Sequence, residues 1–376
     1  MRVAVTKGTL RVPPTYFALT HAEKMSDLHQ FEVFCLVADL STDSSVPVND
    51  YVPLRQLGFR RRELVMPGFI PSMVGGVKKF HPDIIHQHFG TWAVAAAHVA
   101  MSTRVPLVTT LHGADVFALQ RPPSTAMARW HHYNVRVANK QSRKLLAVSN
   151  FLAAEAIAAG LDPRKLEVHY QGIDTDYFTP AEKVRSSELG EKPMLLFVGG
   201  LSEGKGIRDL IAASGAVNKS APHKLVIVGD GDLRAEVRQT AAEFTHIELV
   251  GPQDKELVRD WMRRARALVV PSRMYKGARE AAGLVALEAA ACGVPVVAND
   301  SGGLREMMVP GSTGLLVREG HIDDLGEAIR EIIQLPAHSY AAMSSAARKF
   351  AVEERSLNVS CAELAGHYED IRGQTL

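Results

Sequence analysis

Glu280 and Glu288 stand where a core does not accept carboxylates. In EAAGLVALEAAACGVPVVAND (280–300) the first heads an apolar run and the second lies inside it. A buried carboxylate without a partner carries a heavy desolvation cost. Ahead of it, LVVPS (268–272) reads as a buried strand and RMYKGAR as a polar loop containing glycine. A helix is expected from about Gly283 to Cys292, stopped by Gly293, with VPVVA as the next strand. Glu280 then sits in the loop before the helix, and Glu288 near its second turn. The amides around Ala282–Val285 lack intrahelical acceptors and, with the helix dipole, favour an anion such as a diphosphate. An ionised carboxylate accepts two hydrogen bonds at once and suits neighbouring hydroxyls. The pattern asks for a ligand with a phosphate and a diol: a nucleotide ribose, a sugar, or both. The structural alternative pairs Glu288 with an arginine and leaves Glu280 solvated.

Other strand ends carry similar signals. FVGGLSEGKG (197–206) ends a strand in Gly199–Gly200 and offers Lys205 as a point charge for a phosphate, or as a solvated turn lysine. It is not a Walker A loop. VIVGDGDL (226–233) lacks a full GxGxxG and reads as a structural turn. NDSGGLREM (299–307), with Gly302, Gly303 and Glu306, reads as a second ligand loop or a helix start. In the first half, TTLHGADVF places His112 directly after a strand, and HQHFGTW (86–92) is another strand end with polar and small residues. Ser149 in LAVSNF reads as a helix cap. No His/Cys/Asp group has metal-ligand spacing, and no GxSxG elbow is present.

The elements that must position these residues alternate between short β-branched runs and helical patterns. In the first half strands are expected at Arg2–Val5, Glu32–Val37, Ile84–His86, Leu107–Leu111, Leu145–Val148 and Leu166–His169. Helices are expected at Thr20–Met25, Trp92–Met101, Ala126–Asn139 and Asn150–Ala159. Around 178–193 the pattern lapses into a charged stretch with two prolines, the best linker candidate. It restarts with MLLFVGG, KLVIVGDG, IELVG, ALVVPS, PVVAND and GLLV. The 376 residues therefore form two tandem α/β domains with parallel sheets. The composition, 46% hydrophobic and 22% charged, is that of a soluble globular protein, and a net charge of +2 does not point to nucleic acid. Cys35, Cys292 and Cys361 lie far apart, which indicates a reducing compartment without a disulfide framework or zinc site. No run approaches about 18 apolar residues, so no membrane span is expected. MRVAVTKGTL reads as a first strand and not as a signal peptide, and the expected location is the cytoplasm or the cytoplasmic face of the membrane.

At TTLHGADV, VSNF, HYQGIDTDYFTP, VGGLSEGKG, VIVGDG, VPS and GAREAAGLVALEAAACGVPVVANDSGGLREMMVPGSTGLLV the chain resembles the retaining glycosyltransferases of family four. The likeness runs from about residue 83 to 320. Glu280 and Glu288 match that family's E-x7-E motif. RVPPTYFALTHAEKM is similar to the first loop of polysaccharide-assembly members of group 1. The resemblance implies a GT-B fold: two Rossmann-like domains facing a central cleft, with the C-terminal helix crossing back to the first. The expected boundaries are 1–182, 183–355 and 356–376. It implies a nucleotide-sugar donor, UDP-sugar first, on Gly199, Gly200, Lys205, Arg273, Glu280, Ala282, Gly283, Leu284 and Glu288. Glu288 would hold the ribose, Glu280 face the sugar, Lys205 meet the diphosphate, and His112 lie near the reacting carbon. His112, Glu280 and Lys205 are the implied catalytic residues, with no cofactor or metal. The acceptor would be read near residues 7–20 and 86–92, by Gly8, Thr9, His88, Gly90 and Asp115.

Two departures stand out. Gly200 occupies the place of a family arginine, which Arg273, Lys276 or Arg279 could replace, and Ala281 stands where glycine is common. The expected acceptor is a lipid-linked saccharide. The basic run FRRREL (Arg60, Arg61, Arg62) is either a peripheral membrane contact or a solvated turn. Alternatives are a soluble acceptor such as an aglycone or aminocyclitol, an epimerase or phosphorylase on the same plan, and a non-catalytic nucleotide-sugar binder.

Overall fold

A computed structural model of the chain describes residues 1–12, 17–40, 43–53, 58–181 and 192–373. They divide into two compact units, Met1–Gln171 with Ser360–Leu376, and Gly172–Val359. The divisions thus fall at 171/172 and 359/360, against expected boundaries at 182/183 and 355/356. Most of the expected linker, 182–191, lies outside the described residues.

The first unit holds a parallel sheet of β1 (Arg2–Val12), β2 (Gln30–Leu40), β3 (Val48–Asp50), β4 (Ile84–His88), β5 (Leu107–Leu111), β6 (Lys144–Ala147) and β7 (Leu166–Val168). Their order is β3-β2-β1-β4-β5-β6-β7. The second unit holds β8 (Met194–Val198), β9 (Lys224–Val228), β10 (Ile247–Gly251), β11 (Ala267–Val270), β12 (Val296–Asn299) and β13 (Gly314–Val317), in the order β10-β9-β8-β11-β12-β13. These strands form because short runs such as Leu107–Leu111 and Val296–Asn299 are buried at every position, as a sheet covered on both faces requires. Both sheets start in the middle, grow to one side, then jump back. Strand order reverses between β1 and β4, and between β8 and β11, and ligands of doubly wound sheets bind outside the carboxyl ends of the strands at that reversal.

Four elements go beyond the sequence pattern. β1 runs on to Val12 because its polar residues find partners inside: Thr6 Oγ1 donates to Gln87 Oε1 at 2.8 Å. The edge strand β3 and the helices Phe59–Val65 and Ile70–Phe80 fill the stretch around FRRREL. Pro71 stands in the first turn of the latter helix, where a missing N–H costs nothing. Within the basic run Arg61 is exposed, whereas Arg62 is turned inward. It is 6% exposed, and its guanidinium donates to both Asp50 oxygens (2.5 and 2.7 Å) and to the carbonyls of Ala38 and Val52. It staples the sheet edge instead of facing an anionic surface. The side chain of Arg60 lies outside the described set. Among the described residues no helix is long and apolar enough to cross a membrane.

The helix Leu357–Gly373 joins the first unit from Ser360 onward. Leu364, Tyr368 and Ile371 are buried there, and the Tyr368 hydroxyl lies 2.6 Å from His86 Nδ1.

Candidate active site

In the second unit the strand reversal is built from loops that interlock through glycines. After β8, Gly199 and Gly200 carry the chain toward a short turn, Glu203–Lys205. Gly206 follows at φ 66°, and a Cβ there would lie 1.9 Å from the Pro271 carbonyl oxygen, so the loops after β8 and β11 touch. Gly229 does the same for the turn after β9, with a Cβ position 1.9 Å from the Gly199 oxygen, which gives that glycine turn its structural role. After β12, Gly302 (φ 61°) packs on Glu280, whose carbonyl accepts from Gly303 N at 2.8 Å. The NDSGGLREM stretch is thus a buttress for Glu280 and forms the short helix Gly302–Met307.

These loops bring Lys205 and Glu280 together. The ammonium donates to Glu280 Oε2 at 2.5 Å, and Ser272 Oγ donates to the same oxygen at 3.4 Å. The side chains are 39% and 18% exposed, so the pair is weak in free-energy terms, roughly 0–1 kcal/mol, and an incoming dianion can capture Lys205 at small cost. Three residues after Glu280 comes Gly283 (φ 77°), ahead of the helix Leu284–Ala291. Its N-cap, Gly283, has no side chain to cap it, and Ala286 N donates back to the Gly283 carbonyl at 2.9 Å. Ala282 lies buried beside the N-cap. Between Glu280 and the helix the left-handed residue is Gly283, so Ala281 stands outside the conformation that would penalise it. Glu288 is partly exposed in the second turn. It lies one turn beyond Leu284 on the same face of the helix.

The arginines expected as substitutes at position 200 are committed. Arg273 pairs with Asp209 at 3.1 Å and Glu203 at 3.4 Å, and Arg279 with Glu319 at 3.1 Å. Gly200 itself faces open space: a Cβ there meets only the Asp230 oxygen at 3.9 Å.

In the first unit the reversal lies between Lys7–Thr9 of β1 and His88 of β4. His112 follows β5, with its ring stacked against Phe17 (4.5 Å between centroids) and Phe89 (4.3 Å). Gln171 Nε2 donates to His112 Nδ1 at 3.3 Å, which makes Nε2 the protonated nitrogen facing His88 Nδ1 at 3.1 Å. Burial pushes both imidazoles well below their ordinary range.

The residues expected to contact an acceptor are largely spent inside the unit. Asp115 is fully buried and accepts the amides of Gly90, His112, Gly113 and Val116 at 3.0–3.1 Å, so it fixes the His112 loop. His88, 2% exposed, backs His112. Gly8 is required by Trp92, whose ring would lie 2.3 Å from a Cβ, and Gly90 abuts Val135 at 3.3 Å. Thr9 remains half-buried on β1.

Sequence reasoning missed Lys7 and Phe89. Lys7 is 4% exposed with its ammonium 3.9 Å from the Phe89 ring centre, and burial pushes its pKa down to about 7. Phe89 adopts φ 63°, a rare conformation for a bulky residue and one found where surroundings impose it. Neither has a spacing signal that would mark it. Among the described residues no group of three or more His, Cys, Asp or Glu side chains could hold a metal.

Residues 179–350 match the family model for glycosyl transferases group 1, and residues 15–177 the model for glycosyltransferase family 4. The GDP-mannose-dependent alpha-mannosyltransferase of Mycobacterium tuberculosis is 32% identical over 324 residues, covering 82% of this chain and 79% of that protein. The chain belongs to the group 1 glycosyltransferases. A further relative of this glycosyltransferase, the D-inositol 3-phosphate glycosyltransferase of Pseudarthrobacter chlorophenolicus, is 30% identical and covers 72% of this chain and 69% of that protein. An uncharacterized glycosyltransferase of Methanocaldococcus jannaschii is 30% identical over 67% of this chain and 65% of its own length. The fold matches HepE of Anabaena, solved with UDP and glucose, with TM-score 0.79 at 19% identity over 98% of this chain and 100% of that one. Both units of the glycosyltransferase are thus Rossmann-like, and the fold class is GT-B.

Proposed function

We propose that the enzyme moves a hexose from a nucleotide diphosphate sugar to an acceptor hydroxyl with retention of configuration. The observation that carries this reading is the Lys205–Glu280 pair at the β8/β11 reversal, beside an uncapped helix start and the face that bears Glu288. A diphosphate suits Lys205 and the positive end of the helix, and a ribose diol suits Glu288. Glu280 is assigned to the transferred sugar. The acceptor oxygen bonds to the anomeric carbon as the bond to the diphosphate breaks, and the hydroxyl proton passes to the leaving phosphate oxygen. The protein then contributes position and charge stabilisation, without a metal. UDP-sugars are the first donors to try. The mannosyltransferase relative gives GDP-mannose second place.

For the acceptor a lipid-linked saccharide remains the first reading. The burial of Arg62 removes one support for it, and the D-inositol 3-phosphate relative favours the second, a soluble cyclitol or small molecule. The free, buried cysteines fit a reducing cytoplasm.

The test is thermal stabilisation by UDP-, GDP-, ADP- and dTDP-sugars with chelator present, followed by two variants. Glu288→Ala should weaken the donor about tenfold, the scale of a lost charge-assisted hydrogen bond. Lys205→Ala should lower kcat about 100-fold, the scale of one lost transition-state charge contact. If both variants bind and turn over donor as the parent does, the site lies elsewhere.

A further inference from the structure

We propose that Lys276, at the tip of a two-residue hairpin, is a donor-binding residue whose ammonium meets the diphosphate. This rests on the donor reading above and names a contact within it. Tyr275 N donates to the Ala278 oxygen at 2.9 Å, and Ala278 N returns the bond at 3.0 Å. Between them Lys276 (φ 50°) and Gly277 (φ 69°) are both left-handed. Such a turn favours Asn-Gly, Asp-Gly or Gly-Gly. A lysine there meets a steric clash of its Cβ that glycine avoids.

The hairpin is held against the donor loops. Arg273 N donates to the Gly204 oxygen at 2.9 Å, and Met274 N to Glu319 Oε1 at 2.5 Å. Gly204, next to Lys205, packs closely on the hairpin: its Cβ would lie 3.3 Å from Tyr275 Cβ. The tip is exposed, and Lys276 Nζ lies 5.0 Å from the Tyr275 ring centre.

Charge accounting selects Lys276. The loops after β8 and β11 carry four cations, Lys205, Arg273, Lys276 and Arg279. Lys205 is held by Glu280, Arg273 by Asp209 and Glu203, and Arg279 by Glu319. Among the described residues no carboxylate pairs with Lys276. A diphosphodiester is a dianion, and Lys205 must leave Glu280 to meet it. A second, uncommitted cation on the adjoining rigid hairpin supplies the missing charge.

Lys276→Gly separates charge from structure, because glycine is the residue the turn prefers. Titrations of UDP, GDP, uridine and guanosine should show about tenfold weaker diphosphate binding by Lys276→Gly, unchanged nucleoside binding, and a Tm equal to or above that of the parent. Lys276→Arg should bind as the parent does. Gly200→Arg, placed in the open space beside the same loop, should restore affinity to Lys276→Gly. If Lys276→Gly binds UDP and GDP normally while Lys205→Ala loses them, the proposal is wrong and the donor reading stands. Equal weakening of nucleoside and diphosphate also overturns it, since the hairpin then shapes the base site. If the parent protein binds none of UDP, GDP, ADP and dTDP, both readings fall.

Discussion

Lys7 is the residue whose burial has the clearest consequence. Its ammonium, ordinarily titrating near 10.5, falls to about 7 in the folded chain because burial disfavours the charge and Asp115 restores only part of it. Between those values the unfolded chain binds a proton that the folded chain does not, so stability rises with pH across that window and is lowest below pH 7. Lys7→Met should therefore be more stable than the parent at pH 6, by an amount on the order of a few kcal/mol at about 1.4 kcal/mol per pKa unit. The gain should shrink as pH approaches 10.5. Urea midpoints across pH test this, and a pH-independent difference would mean that Lys7 is solvated. Above about pH 7 a neutral Lys7 also spares the neighbouring His112 a competing charge.

At the scale of elements, the donor loops depend on a few glycines and tolerate change at others. Gly283 combines φ 77° with a Leu304 methyl 2.4 Å from its missing Cβ. Gly283→Ala should lose about 1–3 kcal/mol from strain and displacement, and should weaken donor binding because the helix start moves. Gly200→Ala meets open space and should stay within about 0.5 kcal/mol of the parent, as unconstrained sites do. Chemical denaturation of both variants makes the comparison. A loss at position 200 as large as that at 283 would contradict this account of the loops.

At the scale of the whole chain, the first unit is closed by a segment from the other end of the sequence. Ser360 Oγ donates to the Tyr170 carbonyl at 2.7 Å and lies 2.9 Å from His21 Nε2, while Tyr368 meets His86. Around Ser360 and Tyr368 stand His21, His86, His169, His367, His29, Lys144, Glu167, Glu363 and Asp370. Burial lowers His21 to about 3 and His86 well below its usual range. Their folded pKa values are depressed, so the stability they permit is complete above about pH 6.5 and is lost as pH falls toward 3. The fluorescence of Trp92 and Trp130 should report loosening of the first unit in that acid window. His21→Gln should reduce the acid sensitivity; if it leaves the acid transition unshifted, His21 is not among the groups that set it.

What the sequence determined by itself was local. Strands such as Leu107–Leu111, the Ser149 cap, which accepts from Leu152 N, and the helix between Gly283 and Cys292 follow from periodicity and capping over a few residues. The spacing of Glu280 and Glu288 around a helix start was equally readable, because eight residues of chain set it. Tertiary structure alone decided which charges were already taken. Arg273 meets Asp209 across 64 residues, Lys205 meets Glu280 across 75, and Asp115 spends its oxygens on the amides of two loops. A sequence shows how many cations a loop carries. Whether each still has charge to offer a ligand depends on partners brought in by other strands, and pairing at a few ångströms has no signature in sequence distance.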